Sequence, residues 1–423
     1  MASDTATLER QLQVYKGLVE VSALINGITD QDALLPAILE VARRVLSVEA
    51  ASLFLVTQSG DLELAAADGG LPPPVGKLIV PRGRGISGWV LEHGQSLLVA
   101  DAYKDPRFFP DADKQTGFKT RSILCVPLTR NGTQIGVLQG INPIGHFSFD
   151  QEDLEAFTAY GNLAATAIDK LRTIRRQQAQ ERLAQEFAFA HEIQTSFLPQ
   201  QLPQRNDLRF AATYRPALNV GGDFYDVVEG SPDEYYFVIG DVSGKGMPAA
   251  LLMAQALSSL RLILHPGISP ETALAQWNAM LIGHTIRGMF ITALLGRIRL
   301  PQRQVDFANA GHCSPYRIGA LGEPPAEVKM PGAPPLGILP QLPQNGHTIT
   351  LHPDEWLVCF TDGLTESFNS DDVPLDREGV VRLLDRRFET AADVVDSLNA
   401  GEINHRRSAD PHDDLTVLVM GPR

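Results

Sequence analysis

The sequence predicts an α+β protein of two domains joined by a helical stretch. Three observations predict this organisation. The chain has 423 residues, which is long for one domain. Each half contains a block of strand-like runs with helix-like runs beside it, and a polar, helix-like stretch lies between the two blocks. We therefore predict a first domain with a leading helix over residues 1–172, a helical linker over 173–199 and a second domain over 200–423.

The first domain is predicted to be one antiparallel sheet flanked by helices. Apolar residues recur at helical spacing over residues 8–30, near 33–47 and again over 151–172. Residues 72–74 are three prolines, and together with 101–118 they are predicted to form loops. Runs rich in β-branched and apolar residues predict six strands, at Ala51–Thr57, Leu62–Ala67, Lys77–Val80, Ser96–Val99, Ser122–Leu128 and Gln134–Ile141.

The linker is predicted to be a helix whose character changes along its length. Arg172 to Arg182 is almost wholly polar, and Pro199 and Pro203 end the helix. Beyond Arg182, apolar residues return at helical intervals, at Leu183, Phe187, Ala190, Ile193 and Phe197. This pattern is typical both of a coiled-coil signalling linker and of a plain connector packed on the second domain.

The second domain is predicted to contain helices and strands in mixed order. The helices are expected at 247–264, 270–284, 378–386 and 390–400, and the proline-rich segment 323–343 is expected to be a loop. The strands are expected at Leu208–Tyr214, Tyr235–Gly240, Phe290–Leu300, Gln304–Ala308, Ser314–Ile318, His347–Leu351, Glu355–Thr361 and Leu415–Met420.

Composition and charge restrict the class of partner. The chain is 44% hydrophobic and 20% charged, as in soluble globular proteins, and its formal charge of −14 argues against a nucleic-acid or anionic-membrane partner. No run approaches the roughly 20 apolar residues that span a bilayer, and the first residues do not resemble a signal peptide. Three cysteines, Cys125, Cys313 and Cys359, lie in apolar surroundings without zinc-site spacing. We therefore expect a cytoplasmic protein with reduced thiols.

Four short acidic motifs in the second domain carry the strongest chemical signal. They centre on Asp223, Asp241, Asp362 and the pair Asp413-Asp414, and three of them join an apolar, strand-like run to an aspartate. Each motif alone is also typical of an ordinary turn. Together they predict a site for Mg²⁺ or Mn²⁺, which prefer oxygen ligands. Two such ions, about 3.5–4 Å apart, would hold a bridging water and direct it at phosphorus.

Eight motifs are spread over residues 185–423: Ala190–Pro199, Val220–Asp226, Gly240–Met247, Met289–Ala293, Asn309–His312, Pro335–Ile338, Thr361–Glu366 and Asp413–Thr416. In these motifs this part of the chain resembles the SpoIIE/RsbU-type branch of the PPM (PP2C-like) serine/threonine phosphatases. The resemblance implies an α-β-β-α sandwich of two antiparallel sheets and a hydrolase that removes phosphate from phosphoserine or phosphothreonine.

The resemblance also implies roles for individual residues. Asp241 would bridge two Mn²⁺ or Mg²⁺ ions, Asp362 and Asp413 would complete one coordination shell, and Asp223 with the Val242 carbonyl would complete the other. Asp414 remains an alternative to its neighbour Asp413. These aspartates are the candidate catalytic residues.

The chain departs from the eukaryotic relatives at two places. Those proteins have Asp-Gly-His where this chain has Asp241-Val242-Ser243, so their histidine general acid has no counterpart here. The arginine with which they hold phosphate also has no visible match. His312, within Asn-Ala-Gly-His, is expected to be a structural turn residue.

Residues of about 20–172 resemble a GAF domain. The matching segments lie at positions that hold the fold, so either a small-molecule sensor or a domain that only dimerises is consistent with them. Asn142 is followed by Pro143 instead of the lysine of cyclic-nucleotide-binding members, and Cys125 lies within an apolar strand, which disfavours a covalent bilin. The matching segments are Ala51–Leu55, Gly85–Val90, Val99–Ala102, Ser122–Leu128, Ile135–Gly140 and Phe149-Asp150.

Three other functions are alternatives at the level of the sequence. His191–Thr195 is superficially similar to a histidine-kinase phospho-acceptor box, but an asparagine-rich ATP motif is absent. Gly221–Phe224 is similar to a diguanylate cyclase motif that lacks its second acidic residue. A pseudophosphatase that only binds is the third alternative. The resemblance favours a GAF-regulated phosphatase, expected to be a homodimer, whose substrate is a phosphorylated STAS-type anti-anti-sigma protein.

Overall fold

The computed structural model describes residues 16, 17, 19, 30–69, 78–110, 113, 117–145, 147–283, 288–319 and 323–422. It divides into two compact units, Met1–Glu181 and Arg182–Arg423. Most of the helix predicted over residues 8–30 and the three prolines at 72–74 lie outside the described residues. No described helix is long and apolar enough to cross a membrane.

The first unit is a six-stranded antiparallel sheet with helices on both faces. The strand order is β3-β2-β1-β6-β5-β4, and every neighbouring pair is antiparallel. The elements are α1 (Gln31–Leu46), β1 (Val48–Val56), β2 (Leu62–Asp68), β3 (Ile79–Val80), α2 (Gly85–His93), β4 (Leu97–Val99), β5 (Ile123–Arg130), β6 (Thr133–Pro143) and the first part of α3 (Gln151–Phe197).

Two apolar clusters hold this unit together, one on each face of the sheet. On one face, Leu39 of α1 and Phe157 of α3 pack on buried strand residues, and the Tyr160 hydroxyl donates a hydrogen bond to the Ile38 carbonyl (2.6 Å). On the other face, Val90 of α2 packs against Cys125 and its neighbours. The predicted arrangement of one antiparallel sheet flanked by helices is therefore confirmed.

The Asn142 side chain is hydrogen-bonded at both its oxygen and its nitrogen within this unit. Its backbone φ is 56°, and its side-chain oxygen accepts hydrogen bonds from the backbone N–H groups of Arg121 (2.7 Å) and Ser122 (3.3 Å). Its amide nitrogen donates to Glu49 Oε2 (2.7 Å) and to the Lys119 carbonyl (2.9 Å). A side chain so fully engaged holds the ends of the central strands β1, β5 and β6 together rather than binding a ligand.

Helix α3 is one uninterrupted helix of 47 residues. It includes both the helix predicted at 151–172 and nearly all of the stretch predicted as a linker, 173–199. The division between the two units falls inside that stretch, between Glu181 and Arg182. It contains no proline, and Pro199 follows its end, in keeping with the effect of proline on a helix.

The second unit contains eleven named strands and five further helices among the described residues. In chain order these are β7 (Leu208–Arg215), β8 (Phe224–Ser231), β9 (Glu234–Val242), α4 (Met247–Ile263), α5 (Pro270–Leu281), β10 (Ile291–Arg299), β11 (Gln304–Ala310), β12 (Tyr316–Ile318), β13 (Ala326–Glu327), β14 (Gly332–Ala333), β15 (Gly346–Thr350), β16 (Trp356–Phe360), α6 (Asp362–Thr365), α7 (Asp376–Leu384), α8 (Ala391–Arg406) and β17 (Leu415–Pro422).

These strands form two sheets that pack face to face between layers of helices. One sheet has the order β14-β11-β10-β9-β8, with β15 also paired to β11, and the other has the order β13-β12-β16-β17-β7. Phe237 and Phe307 of the first sheet share a buried core with Leu357 and Leu418 of the second. Helices α4 and α5 cover the outer face of the first sheet, and α7 and α8 cover that of the second. This is the α-β-β-α sandwich that the sequence predicted.

Candidate metal centre

The topology brings the four acidic motifs to one end of the two sheets. Strands β8 and β9 are antiparallel, with Phe224 opposite Gly240, so Asp223 before β8 lies beside the end of β9 that carries Asp241. Strands β16 and β17 are also antiparallel, with Phe360 opposite Val417, so Asp362 after β16 lies beside the start of β17, which Asp413 precedes. Strand ends thus present the carboxylates without long loops.

Asp223 connects the two sheets and is almost completely buried, at 1% exposure. Its Oδ2 accepts hydrogen bonds from the hydroxyls of Thr361 (2.7 Å) and Thr416 (2.8 Å), which belong to the ends of the opposite sheet. The Thr361 hydroxyl also accepts from the Thr416 backbone N–H (3.0 Å). The hydroxyls of these threonines, whose role was not visible in the sequence, set the direction of the Asp223 carboxylate.

Asp241 and the Val242 carbonyl both lie close to the Gly222 backbone. A Cβ atom built on Gly222 would lie 2.7 Å from the Val242 carbonyl oxygen and 3.2 Å from Asp241 Oδ1. The Asp241 and Asp223 side chains are also within hydrogen-bonding distance of each other. Glycine at position 222 therefore lets these two oxygen atoms lie close to the backbone and to each other, and oxygen atoms are the ligands that a hard cation prefers.

Burial and mutual repulsion raise the pKa values of four of these carboxyls. Burial raises the pKa of Asp241 to about 7, with further contributions from Asp362, Asp413 and Asp414. Burial likewise raises the pKa of Asp223 well above its usual range, with the Asp241 charge adding to it. Burial also raises the pKa values of Asp362 and Asp414. Such a group of carboxyls stays ionised together only beside positive charge.

Asp413 and Asp414, left as alternatives by the sequence, have different environments. Asp414 is buried, and its two oxygens accept the backbone N–H groups of Ala217 (2.8 Å) and Gly222 (2.6 Å). It therefore fastens the loop that carries Gly222 and Asp223. Asp413 has a side chain 32% exposed and paired with Lys245 (3.2 Å), whose ammonium also donates to the His412 carbonyl. The Asp413 Oδ1 also accepts the Asp414 backbone N–H (2.9 Å), so greater exposure is what makes Asp413 the more accessible of the two to an ion.

The donor set fits a hard divalent cation in chemistry, since every candidate ligand offers oxygen. Among the residues that the structure describes, no group of three or more His, Cys, Asp or Glu side chains is already arranged so that it could hold a metal ion. Asp223 instead lies within hydrogen-bonding distance of Asp241 alone among these carboxylates, and Asp413 forms an ion pair with the Lys245 ammonium. Binding an ion therefore requires these side chains to turn toward it.

Ser243 and His312, near the site, both serve the local fold. The Ser243 hydroxyl accepts the Phe290 backbone N–H (2.8 Å), and its own N–H donates to the Phe290 carbonyl (2.9 Å). His312 pairs with the Asn309 side chain through its backbone N–H and carbonyl, and its Nδ1 lies 2.9 Å from the Thr292 hydroxyl. Burial lowers the pKa of His312 to about 4, so the ring is neutral near pH 7.

The two units match two known domain families. Residues 30–168 match the GAF domain model, and residues 231–423 match the model of stage II sporulation protein E (SpoIIE). The chain thus combines a GAF domain with a PP2C-like phosphatase domain. Within that class, the second domain is of the SpoIIE type.

Relatives agree with this assignment. The chain is 25% identical over 256 residues to protein IcfG of Synechocystis sp., covering 54% of this chain and 40% of that protein. It is 25% identical over 241 residues to phosphoserine phosphatase RsbU of Bacillus subtilis, covering 57% of this chain and 71% of that one. The SiaA-PP2C domain of Pseudomonas aeruginosa has the same fold over 58% of this chain and 98% of its own, with a TM-score of 0.51 and 21% identity.

Proposed function

We propose that the protein is a metal-dependent phosphatase that hydrolyses phosphoserine or phosphothreonine in another protein. One observation carries this proposal: the candidate ligands lie together at one end of the two sheets. They are Asp223, Asp241, Asp362, Asp413 and the Val242 carbonyl. The family match of the same domain and the similarity to RsbU support it. The alternative of a pseudophosphatase that only binds has less support, since an aspartate is present in each of the four acidic motifs.

The residues of the chain have distinct tasks in this proposal. Asp241 would contact both of two Mn²⁺ or Mg²⁺ ions, with Asp362 and Asp413 on one and Asp223 and the Val242 carbonyl on the other. When bound, the ions supply the positive charge that holds phosphate and activates water for attack on phosphorus. Thr361 and Thr416 orient the Asp223 carboxylate, and Asp414 holds the loop that bears it.

The substrate and the partners are proposed on weaker but separate grounds. By similarity to RsbU, we propose a phosphorylated STAS-type anti-anti-sigma protein as substrate, in a cytoplasmic partner-switching pathway. The GAF domain is proposed to bind a small molecule or to dimerise. A homodimer is supported by Leu183, Phe189 and Ile193 of α3, whose exposures are 53%, 64% and 49%.

The activity itself is tested with the purified full chain. We expect hydrolysis of p-nitrophenyl phosphate and of a phosphoserine protein in the presence of Mn²⁺ or Mg²⁺, and loss of both activities in EDTA. No nucleoside triphosphate should be needed, which separates the phosphatase from the kinase and cyclase alternatives. Equal rates with EDTA and with Mn²⁺, or absence of hydrolysis under all these conditions, would contradict the proposal.

Control of the site by the linker is proposed to act through Gln194, near the end of α3. Gln194 is 4% exposed, its amide nitrogen donates to the Gly221 carbonyl, and its side-chain oxygen accepts the Gly221 backbone N–H (3.2 Å). The Tyr214 hydroxyl lies 3.4 Å from the same oxygen. A shift of this helix would therefore move the Gly221-Gly222-Asp223 segment and the oxygens around it.

Replacing Gln194 with leucine is expected to raise the Mn²⁺ concentration needed for half-maximal activity by about tenfold. The change leaves the buried Gly221 N–H and carbonyl without partners, at roughly 1–3 kcal/mol for each unpaired group. Gln200→Leu is the matched control, because its amide donates to the Thr195 carbonyl on the exposed surface (2.9 Å). An unchanged metal requirement in Gln194→Leu would count against control through this residue.

A further inference from the structure

A small cavity lies beside the candidate metal centre and has a different chemical character. Its volume is about 130 Å³, and Asp413 and Gly363 form the wall nearest the metal centre. Arg215 at the end of β7 and Arg406 at the end of α8 line it, together with Glu402 and Ser367. We call this cavity the arginine pocket. The metal-site chemistry above uses none of these four residues.

The charges in the arginine pocket do not cancel. Arg215 and Arg406 both pair with the one carboxylate of Glu402, the second through its Nε at 3.1 Å. Ser367 donates a further hydrogen bond to Glu402 (2.9 Å), which is only 3% exposed. Two guanidinium groups, which stay charged at any ordinary pH, thus share one buried carboxylate. The other carboxylate of the pocket, Asp413, is paired with Lys245 (3.2 Å), so an excess positive charge remains at Arg215 and Arg406.

The two arginines also retain unused hydrogen-bond donors. Among the described residues, Arg215 donates through one terminal nitrogen only, to Glu402. Arg406 donates through Nε to Glu402 and through one terminal nitrogen to the Ala409 carbonyl, so its second terminal nitrogen is left. Their side chains are 34% and 20% exposed, so these donors can be reached from solvent. Guanidinium groups with free donors bind carboxylates and phosphates in a bidentate manner.

We propose that the arginine pocket binds an oxyanion of the substrate protein, the carboxylate of an aspartate or glutamate close in sequence to the phosphoserine. The pocket is large enough for one such group, and it shares the Asp413 wall with the centre at which the phosphoserine is hydrolysed. This assignment rests on the proposed phosphatase function and adds a sequence preference to it. The phosphatase would select acidic neighbours of its target serine despite the overall charge of −14.

The test uses phosphoserine peptides of neutral background in which one glutamate is moved through the positions flanking the phosphoserine. We expect at least one position to raise kcat/KM about tenfold over the all-neutral peptide, mainly through KM, with the preference falling as salt is added. Arg406→Gln should reduce this ratio toward one. Glu402→Gln, which removes the internal negative charge, should raise it. Arg382→Gln, the same change on the exposed face of α7, should leave it as in the wild type.

The outcomes separate the pocket from the proposed function. Hydrolysis of every peptide at the same rate would overturn the pocket assignment and leave the phosphatase intact, whereas failure to hydrolyse any of them would remove the phosphatase proposal itself. If the preference for an acidic peptide were lost in both Arg406→Gln and Glu402→Gln, the ion pair between these residues would have a structural role only. That result would also overturn the pocket assignment. Inorganic phosphate is included as a competitor: a pocket for free phosphate would give inhibition that Arg406→Gln relieves, without any peptide preference.

Discussion

Replacing Asp241 with asparagine is expected to lower phosphate-ester hydrolysis about a thousandfold, a loss of about 4 kcal/mol of transition-state stabilisation. Asp241 is the one carboxylate proposed to contact both ions, and its Oδ1 lies close to the Gly222 backbone, as does the Val242 carbonyl. Asparagine keeps the shape of the side chain but removes the charge. The measurement is kcat/KM for p-nitrophenyl phosphate over a range of Mn²⁺ concentrations.

The same substitution is expected to stabilise the metal-free protein. Burial and neighbouring carboxylates raise the pKa of Asp241 to about 7, above its ordinary value of 3.8, so the folded state binds more protons than the unfolded state between these values. The stability of the metal-free protein should therefore fall as pH rises from about 4 to about 7. Asparagine removes this penalty, by roughly 2–4 kcal/mol at pH 8 and by little near pH 4.

Asp306→Asn is the matched control for this second effect. Asp306 lies on β11 of the same sheet, and burial would raise its pKa, but hydrogen bonds from Arg299 and Arg297 outweigh burial and lower it. Its neutralisation should destabilise the protein at pH 8, the opposite sign to Asp241→Asn. Urea unfolding in EDTA at pH 5 and pH 8 measures both. If Asp241→Asn lost stability at pH 8, the site would not be a cluster of mutually repelling carboxylates.

Strands that contain a run of apolar residues, or apolar and polar residues in alternation, could be predicted from the sequence. Elements that mix apolar, polar and glycine residues without such a pattern could not. Strands β9 and β16 were expected within two residues of their bounds, because their apolar runs meet glycine or aspartate at the end. Strand β8, Phe224–Ser231, was not predicted, since it begins directly after Gly-Gly-Asp and ends in Glu-Gly-Ser. Its strand character depends on hairpin pairing with β9, which begins at Glu234, rather than on the residue pattern of β8 itself.

Helix α2 and the strands β13 and β14 were also missed, for related reasons. Helix α2, Gly85–His93, starts with glycine and has serine and glycine within its first turns, so local helix propensity is low; its burial against the sheet sustains it. The short strands β13 and β14 lie in the proline-rich segment 323–343, which was predicted as a loop. Each of these strands has only two residues, and amino-acid composition gives little indication of strands of that length.

At the site, the acidic candidates could be named from the sequence, whereas the residues that orient them could not. Aspartate beside glycine is a visible pattern at Asp223, Asp241 and Asp362, and Asp413 was named from the Asp413-Asp414 pair that precedes a strand. Gln194 and Thr416 lie in motifs that resemble the family, yet only the fold reveals that they contact Gly221 and Asp223. The separate tasks of Asp413 and Asp414 likewise follow from their hydrogen bonds rather than from their sequence.

Replacing Gly222 with alanine is expected to lower activity about a hundredfold while the domain stays folded. The added Cβ would stand 2.7 Å from the Val242 carbonyl oxygen and 3.2 Å from Asp241 Oδ1. The first distance is shorter than any ordinary carbon contact, so the carbonyl or the loop has to shift. A misplacement of about 1 Å at a reacting centre costs on the order of a hundredfold in rate.

Gly332→Ala is the control that separates this effect from a general cost of removing glycine. A Cβ on Gly332, in β14 of the same sheet, meets no atom within 4 Å, and neither Gly222 nor Gly332 has a positive φ. Both substitutions therefore lower the conformational entropy of the unfolded chain to a similar extent. Only Gly222→Ala places a Cβ atom close to the candidate ligand oxygens. Mn²⁺ titrations of the activity and thermal unfolding of both variants provide the comparison. If Gly222→Ala kept wild-type activity and metal dependence, no ion would be bound beside Gly222, and the Val242 carbonyl would lose its proposed role even if Asp241 kept its own.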